Sequence, residues 1–200
     1  MSEISILVPH FHNLIGDRVL AATLPHLIKK TTLPYELIVT AHRQREFIAW
    51  NDMAYRARTN WLVLMVSDVF VAPGWDLALW DARDRDTLAT LTLIESGYLE
   101  PADFSLARDF GRTPETFDAD GFEAYAATCP EPPQRPAWNF PWLIHKDTFL
   151  RMGSFRLDQL DSQMTEHYYF NDWQAVGRKV TRVQGYGYHL GAWTLTGEKR

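Results

Sequence analysis

The sequence predicts an α/β fold: a sheet, mostly parallel and becoming mixed toward the C-terminal half, flanked by helices. Three observations carry this. Ile4-Ser5-Ile6-Leu7-Val8 is apolar at nearly every position, the mark of a strand buried on both faces. Two similar runs follow, Glu36-Leu37-Ile38-Val39-Thr40 and Trp61-Leu62-Val63-Leu64-Met65-Val66. The stretches between the three runs have helical periodicity and short connections, which argues for right-handed βαβ units.

The elements follow in order. Over 17–30, Leu20, Leu24, Leu27 and Ile28 fall at helical spacing, with Asp17 as N-cap and Lys29-Lys30 favourable at the C-terminal end. Pro25 predicts a kink or break in this helix. A second helix is expected over 45–57, and Ser67-Asp68 closes the third strand. A short helix over 75–82 and a strand over 87–94 come next. Residues 95–136 read as a long, proline-bearing loop with a helix near 122–127, in the place of a lid or acceptor loop. Pro141 predicts an edge strand over 140–144. A helix over 163–178 and one or two strands over 180–193 complete the chain.

Composition bounds the function. The chain has 200 residues, 46% hydrophobic and 22% charged, enough for one domain that folds without disulfides or metal. Its two halves divide near residue 94. Net charge is −5, and Lys and Arg are scattered, which disfavours general nucleic-acid binding. The single Cys129 forbids an intrachain disulfide and fits a reducing compartment. No apolar stretch approaches the roughly 20 residues of a spanning helix, and Met1-Ser2-Glu3 lacks a basic leader. A soluble, cytoplasmic protein is therefore expected.

In open α/β sheets, ligands sit outside the carboxyl ends of the strands. Three such ends are readable: Pro9-His10-Phe11-His12-Asn13, Thr40-Ala41-His42-Arg43 and Ser67-Asp68-Val69. Asp68 directly follows an apolar strand, so its carboxylate projects from the rim as a hard oxygen ligand suited to Mg²⁺ or Mn²⁺; the alternative is a turn or helix-capping role. His10 and His12 form an H-x-H pair that metal hydrolases also use. Asp172 on the late helix is a candidate general base, or a surface partner of Arg178. His189 is a candidate metal ligand or phosphate contact, or a structural residue. Trp138, Trp142, Tyr168, Tyr169 and Trp173 supply aromatic faces suited to sugars or to a core.

In their order, these pieces resemble the family 2-like glycosyltransferases of the GT-A fold. Ile6-Leu7-Val8-Pro9 followed by Asn13 is similar to that family's first strand and its P-x-(aromatic)-N turn. Leu24-Pro25-His26-Leu27 through Leu33-Pro34-Tyr35-Glu36-Leu37-Ile38-Val39 resembles its second passage, and Asn51 with Ala54 its helix before the third strand. The most specific match is Ser67-Asp68-Val69-Phe70-Val71-Ala72-Pro73-Gly74-Trp75, similar to the metal motif that ends in P-G-W. Gly153-Ser154-Phe155, Asn171-Asp172-Trp173 with Arg178, and His189 match the later motifs.

The resemblance implies an inverting glycosyltransferase that moves a sugar from a nucleotide-sugar donor to a hydroxyl acceptor of open class. It implies Asp172 as the catalytic base, and a divalent cation, Mn²⁺ or Mg²⁺, held by Asp68 and His189. Pro9, His10, Phe11, Asn13, Arg43, Asn51, Ser67 and Asp68 are then expected to bind the donor, and Trp138, Asn139, Trp142 and Trp173 the acceptor. Ser67 stands where the family has the first carboxylate of the metal motif, Asn171 where it has Glu, and Thr40-Ala41 where it has a base-reading Asp. The alternative is a nucleotide-sugar or glycan-binding domain of the same fold that has lost catalysis.

Overall fold

A computed structural model describes residues 2–42, 46–96, 106–129, 140–156 and 165–190. In chain order its elements are β1 (Ile4–Phe11), α1 (Leu14–Lys30), β2 (Tyr35–His42), α2 (Glu46–Arg56), β3 (Trp61–Leu64), β4 (Val69–Val71) and α3 (Trp75–Asp81). They continue with β5 (Thr87–Glu95), β6 (Leu106–Ala107), α4 (Ala119–Thr128), β7 (Trp142–His145), α5 (Lys146–Arg151), α6 (Thr165–Ala175) and β8 (Lys179–His189).

All eight strands join one sheet in the order β2-β1-β3-β7-β5-β8-β4, with β6 beside β5. β1 pairs parallel with β2 and β3, and β5 pairs parallel with β6 and β8. The β3–β7, β5–β7 and β4–β8 pairings are antiparallel. Six strands therefore run one way, and only β4 and β7 oppose them. This polarity brings the carboxyl ends of β1, β2, β3, β5 and β8 to one edge of the sheet. The fold is the mixed α/β sheet that the sequence predicts.

Alternation along β1 explains how both faces are filled. Ile4, Ile6 and Val8 pack with Leu27 of α1, Val63 and Trp75, while Leu7 packs with Phe47, Trp50 and Met53 of α2. The α2 side is rich in large aromatics: Trp50, Trp142, Phe149, Phe155 and Trp173 are all buried there. A third cluster seats Phe110, Phe122 and Cys129 against Phe70 and Tyr188. The Tyr188 hydroxyl accepts from the Phe110 N–H at 3.1 Å and donates to the Gly111 carbonyl at 2.5 Å, tying this segment to β8.

Several expectations need correction. The cap of α1 is Asn13, whose Oδ1 accepts from the Gly16 N–H at 2.7 Å; Asp17 lies inside the first turn. Pro25 does not break α1, because both it and Ala21, whose carbonyl it leaves free, face solvent. The strand after Pro141 is central: the proline lies outside β7, which pairs with β3 and β5 through residues able to donate. Within 95–136, α4 stands where the sequence predicts a helix near 122–127, whereas the short strand β6 is not foreseen. The short strand β4 and the helix α5 have no counterpart in the sequence reading. α6 ends at Ala175, just before Gly177 turns the chain at φ 77°.

Candidate active site

At the carboxyl edge of the sheet, charged side chains terminate buried strands. β5 is buried along its whole length and ends in Glu95. β8 ends beside it in His189, the register partner of Glu95. Asp68 sits in the turn that leads from β3 into β4, and β4 pairs Val69 with His189. The His189 ring lies between two carboxylates, with Nδ1 2.9 Å from Glu95 Oε2 and Nε2 3.3 Å from Asp68 Oδ2. Burial works against charge on this imidazole, but the Asp68 and Glu95 carboxylates outweigh it and raise the pKa well above the usual value.

Two helices add further carboxylates. Glu46 opens α2 and Glu166 lies in the first turn of α6. The Glu46 carboxyl is pushed up to about 7, chiefly by burial and further by the Asp68 and Glu166 charges. Burial also pushes Glu166 up to about 7 against the pull of its own backbone N–H. Its Oε2 is buried and accepts no hydrogen bond from the described residues. A half-buried carboxylate that titrates near neutrality with a bare oxygen is equipped to accept a proton.

A divalent cation fits this donor set. Ligands about 2.0–2.2 Å from one ion stand about 2.8–3.6 Å from each other across octahedral and tetrahedral geometries, and Asp68 Oδ2 and His189 Nε2 are 3.3 Å apart. Glu95 on the other ring nitrogen supplies the outer carboxylate that orients metal-binding histidines.

The remaining expected site residues fall into groups. Pro9 is buried at the end of β1, and Phe11 meets His42 edge-on at 5.7 Å between ring centroids. His42 is held below the usual imidazole range, first by burial and then by His10. His10 instead faces α1, its Nε2 2.6 Å from Asp17 Oδ1. Asn13 is committed to capping α1. The Ser67 carbonyl accepts from the Thr23 hydroxyl at 2.7 Å. Asn51 clamps Phe155: Oδ1 accepts from its N–H at 3.0 Å and Nδ2 donates to its carbonyl at 2.8 Å. Trp142 and Trp173 are 0% exposed, so neither offers a face to an acceptor. Arg43, Trp138 and Asn139 lie outside the described residues.

Asp172 is not gathered with the carboxylates. It is exposed on α6, six positions after Glu166, which on a helix means about 9 Å along the axis and roughly 120° around it. Arg178, expected to work with it, lies 3.5 Å from Asp86 and stacks on Trp173. Glu46, Glu95 and Glu166 are absent from the sequence-based site. For Glu95 a signal existed, since a lone acid at the carboxyl end of a buried strand is the feature that singled out Asp68.

No protein-family model matches the chain, and no curated protein matches it in sequence. Solved structures do. GalNAc-T7, in a structure that holds UDP, GalNAc and Mn²⁺, superposes with a TM-score of 0.59 at 13% identity over 94% of this chain. The catalytic domain of Drosophila β1,4-galactosyltransferase 7, complexed with xylobiose, gives 0.57 at 13% identity over 91%. The chain spans 44% and 65% of the lengths of these two proteins. What it shares with both glycosyltransferases, across almost all of its own length, is the GT-A fold.

Proposed function

We propose that this chain is a nucleotide-sugar-dependent glycosyltransferase in which Asp68 and His189 hold a divalent cation and Glu166 is the general base. The observation that carries the reading is the meeting of Asp68, Glu95 and His189 at the carboxyl edge of a GT-A sheet, with the Asp68 and Glu166 charges both acting on Glu46. The Mn²⁺ and UDP in GalNAc-T7 and the xylobiose bound to the galactosyltransferase support this ligand chemistry.

When bound, the cation neutralises charge on the leaving diphosphate. The chain's own residues do the rest. Asp68 and His189 position the cation, and Glu95 fixes the ring of His189. Phe11, edge-on to His42, offers an apolar wall for the nucleotide base. The half-exposed Glu166 carboxylate receives the proton of the acceptor hydroxyl as the hydroxyl oxygen attacks the anomeric carbon from the face opposite the diphosphate. Configuration is thereby inverted. Glu46, with its carboxyl raised to about 7, is half-protonated at neutral pH and limits the negative charge at the site.

Donor hydrolysis tests this without knowledge of the acceptor, because water substitutes for the hydroxyl. With UDP-sugars and Mn²⁺ the protein should release UDP, and ¹H NMR of the nascent sugar should show the anomer opposite to that of the donor. Binding of donor without any release would instead identify a binding domain, and release with retained configuration would remove Glu166 as the base for direct displacement.

A further inference from the structure

A second cluster of metal-ligating side chains lies apart from the carboxylates, on the α1 face of the sheet. The alternation that turns Ile4, Ile6 and Val8 of β1 toward α1 continues through His10 to His12, and both imidazoles face Asp17 in the first turn of α1. His10 Nε2 is 2.6 Å and His12 Nδ1 3.3 Å from the same Asp17 oxygen. One ligand atom from each residue lies within 4.8 Å of those of the other two. His10 is buried, whereas His12 and Asp17 are exposed, so the cluster is anchored from beneath and open to solvent above.

The backbone builds this arrangement. Gly16 lets α1 abut the end of β1: a Cβ there would lie 2.0 Å from the Phe11 carbonyl oxygen. Only because of that approach does Asp17 reach both imidazoles. Asn13 caps the same turn and fixes its geometry.

We infer that His10, His12 and Asp17 form a site for an imidazole-preferring divalent transition-metal ion, of the Zn²⁺ or Co²⁺ class, that ties the end of β1 to α1. Two imidazoles and one carboxylate, with a fourth position open to water, is a donor set for such ions rather than for Mg²⁺ or Ca²⁺. With ligand bonds of about 2.0–2.2 Å, tetrahedral ligands stand about 3.3–3.5 Å apart. His12 and Asp17 already have that separation, and the His10–Asp17 pair opens by under an ångström as the ion replaces the shared proton. His10 Nδ1 is buried without a hydrogen bond among the described residues. An outer partner is worth about 10–100-fold in metal affinity, so the site is a moderate, exchangeable one. It is separate from the Asp68–His189 pair, and does not depend on the glycosyltransferase reading.

Titration of untagged, metal-free protein with Co²⁺ tests it, following visible absorption and stoichiometry. The Asp68→Ala/His189→Ala variant should still bind one Co²⁺, displaceable by Zn²⁺. His12→Ala and Asp17→Asn, both at exposed positions, should each lower the stoichiometry by one relative to wild type, with far-UV circular dichroism unchanged. The wild-type comparison stands even where the double variant fails to fold. Absence of Co²⁺ binding at about 100 μM, or binding indifferent to both His12→Ala and Asp17→Asn, would overturn the inference.

Discussion

Glu166 and Asp172 share a helix, yet Glu166 is half-buried, with its charge acting on Glu46, whereas Asp172 is exposed. The two roles are separable by substitution. Glu166→Gln keeps the shape and removes the base; donor turnover should fall about 10²- to 10⁴-fold, with nucleotide affinity within about twofold. Asp172→Ala, at a solvent-facing position, should change turnover less than threefold. Equal loss in the two variants would return the role to Asp172. The pH profile carries the same argument. A base must be deprotonated to work, and burial raises Glu166 to about 7. The rate should therefore fall as pH drops below about 7, well above the usual carboxylate range, and a limb near 4.5 would contradict this. Sequence motifs place an acid on this helix but do not settle its phase toward the site.

At the scale of elements, two polar clamps tie together segments distant in sequence. Asn51 ties α2 to the turn after α5 through both backbone groups of Phe155. Asn51→Ala leaves two buried groups unpartnered and should cost about 2–4 kcal/mol, while nucleotide affinity of the folded protein stays unchanged. A loss of affinity without a loss of melting temperature would instead make Asn51 a donor ligand. Glu36 on β2 accepts from the Ser5 hydroxyl, the Arg58 N–H and the Arg58 guanidinium at 2.7–2.8 Å. Burial opposes its ionisation, but these three donors together hold the carboxyl below its usual value. With a folded pKa below the unfolded one, its contribution is present above about 4.5 and lost as pH falls through the folded value. Glu36→Gln should thus lower the melting temperature at pH 7 by several degrees, and by much less at pH 3, as thermal melts at the two pH values would show.

Over the whole molecule, legibility followed the range of the interactions. β1, β2, β3 and their helices were readable because burial on two faces and helical spacing are local properties. β7 was misplaced at an edge because its insertion between β3 and β5 depends on antiparallel partners distant in sequence. Pro141, which pointed to the edge, lies just outside the ladder. The site divides in the same way. Asp68 and His189 were visible as polar ends of apolar runs. Glu46 and Glu166 are candidates only in the fold, where the Glu166 and Asp68 charges both act on Glu46, and Trp142 and Trp173 are core. What the chain shares with the two glycosyltransferases is the fold on which these groups stand.

The central claim is that Asp68 and His189 hold a cation beneath a nucleotide diphosphate. Thermal unfolding of wild type and Asp68→Ala, with UDP-, GDP-, CDP- and dTDP-sugars and with and without Mn²⁺, tests it most directly. A ligand at 100 times its dissociation constant stabilises by about 2.7 kcal/mol, which for a chain of this size is a rise of roughly 5–10 °C. The account predicts that rise for one nucleotide, only with Mn²⁺, and its loss in Asp68→Ala. Stabilisation that ignores both the metal and Asp68, or none from any nucleotide-sugar, would contradict it.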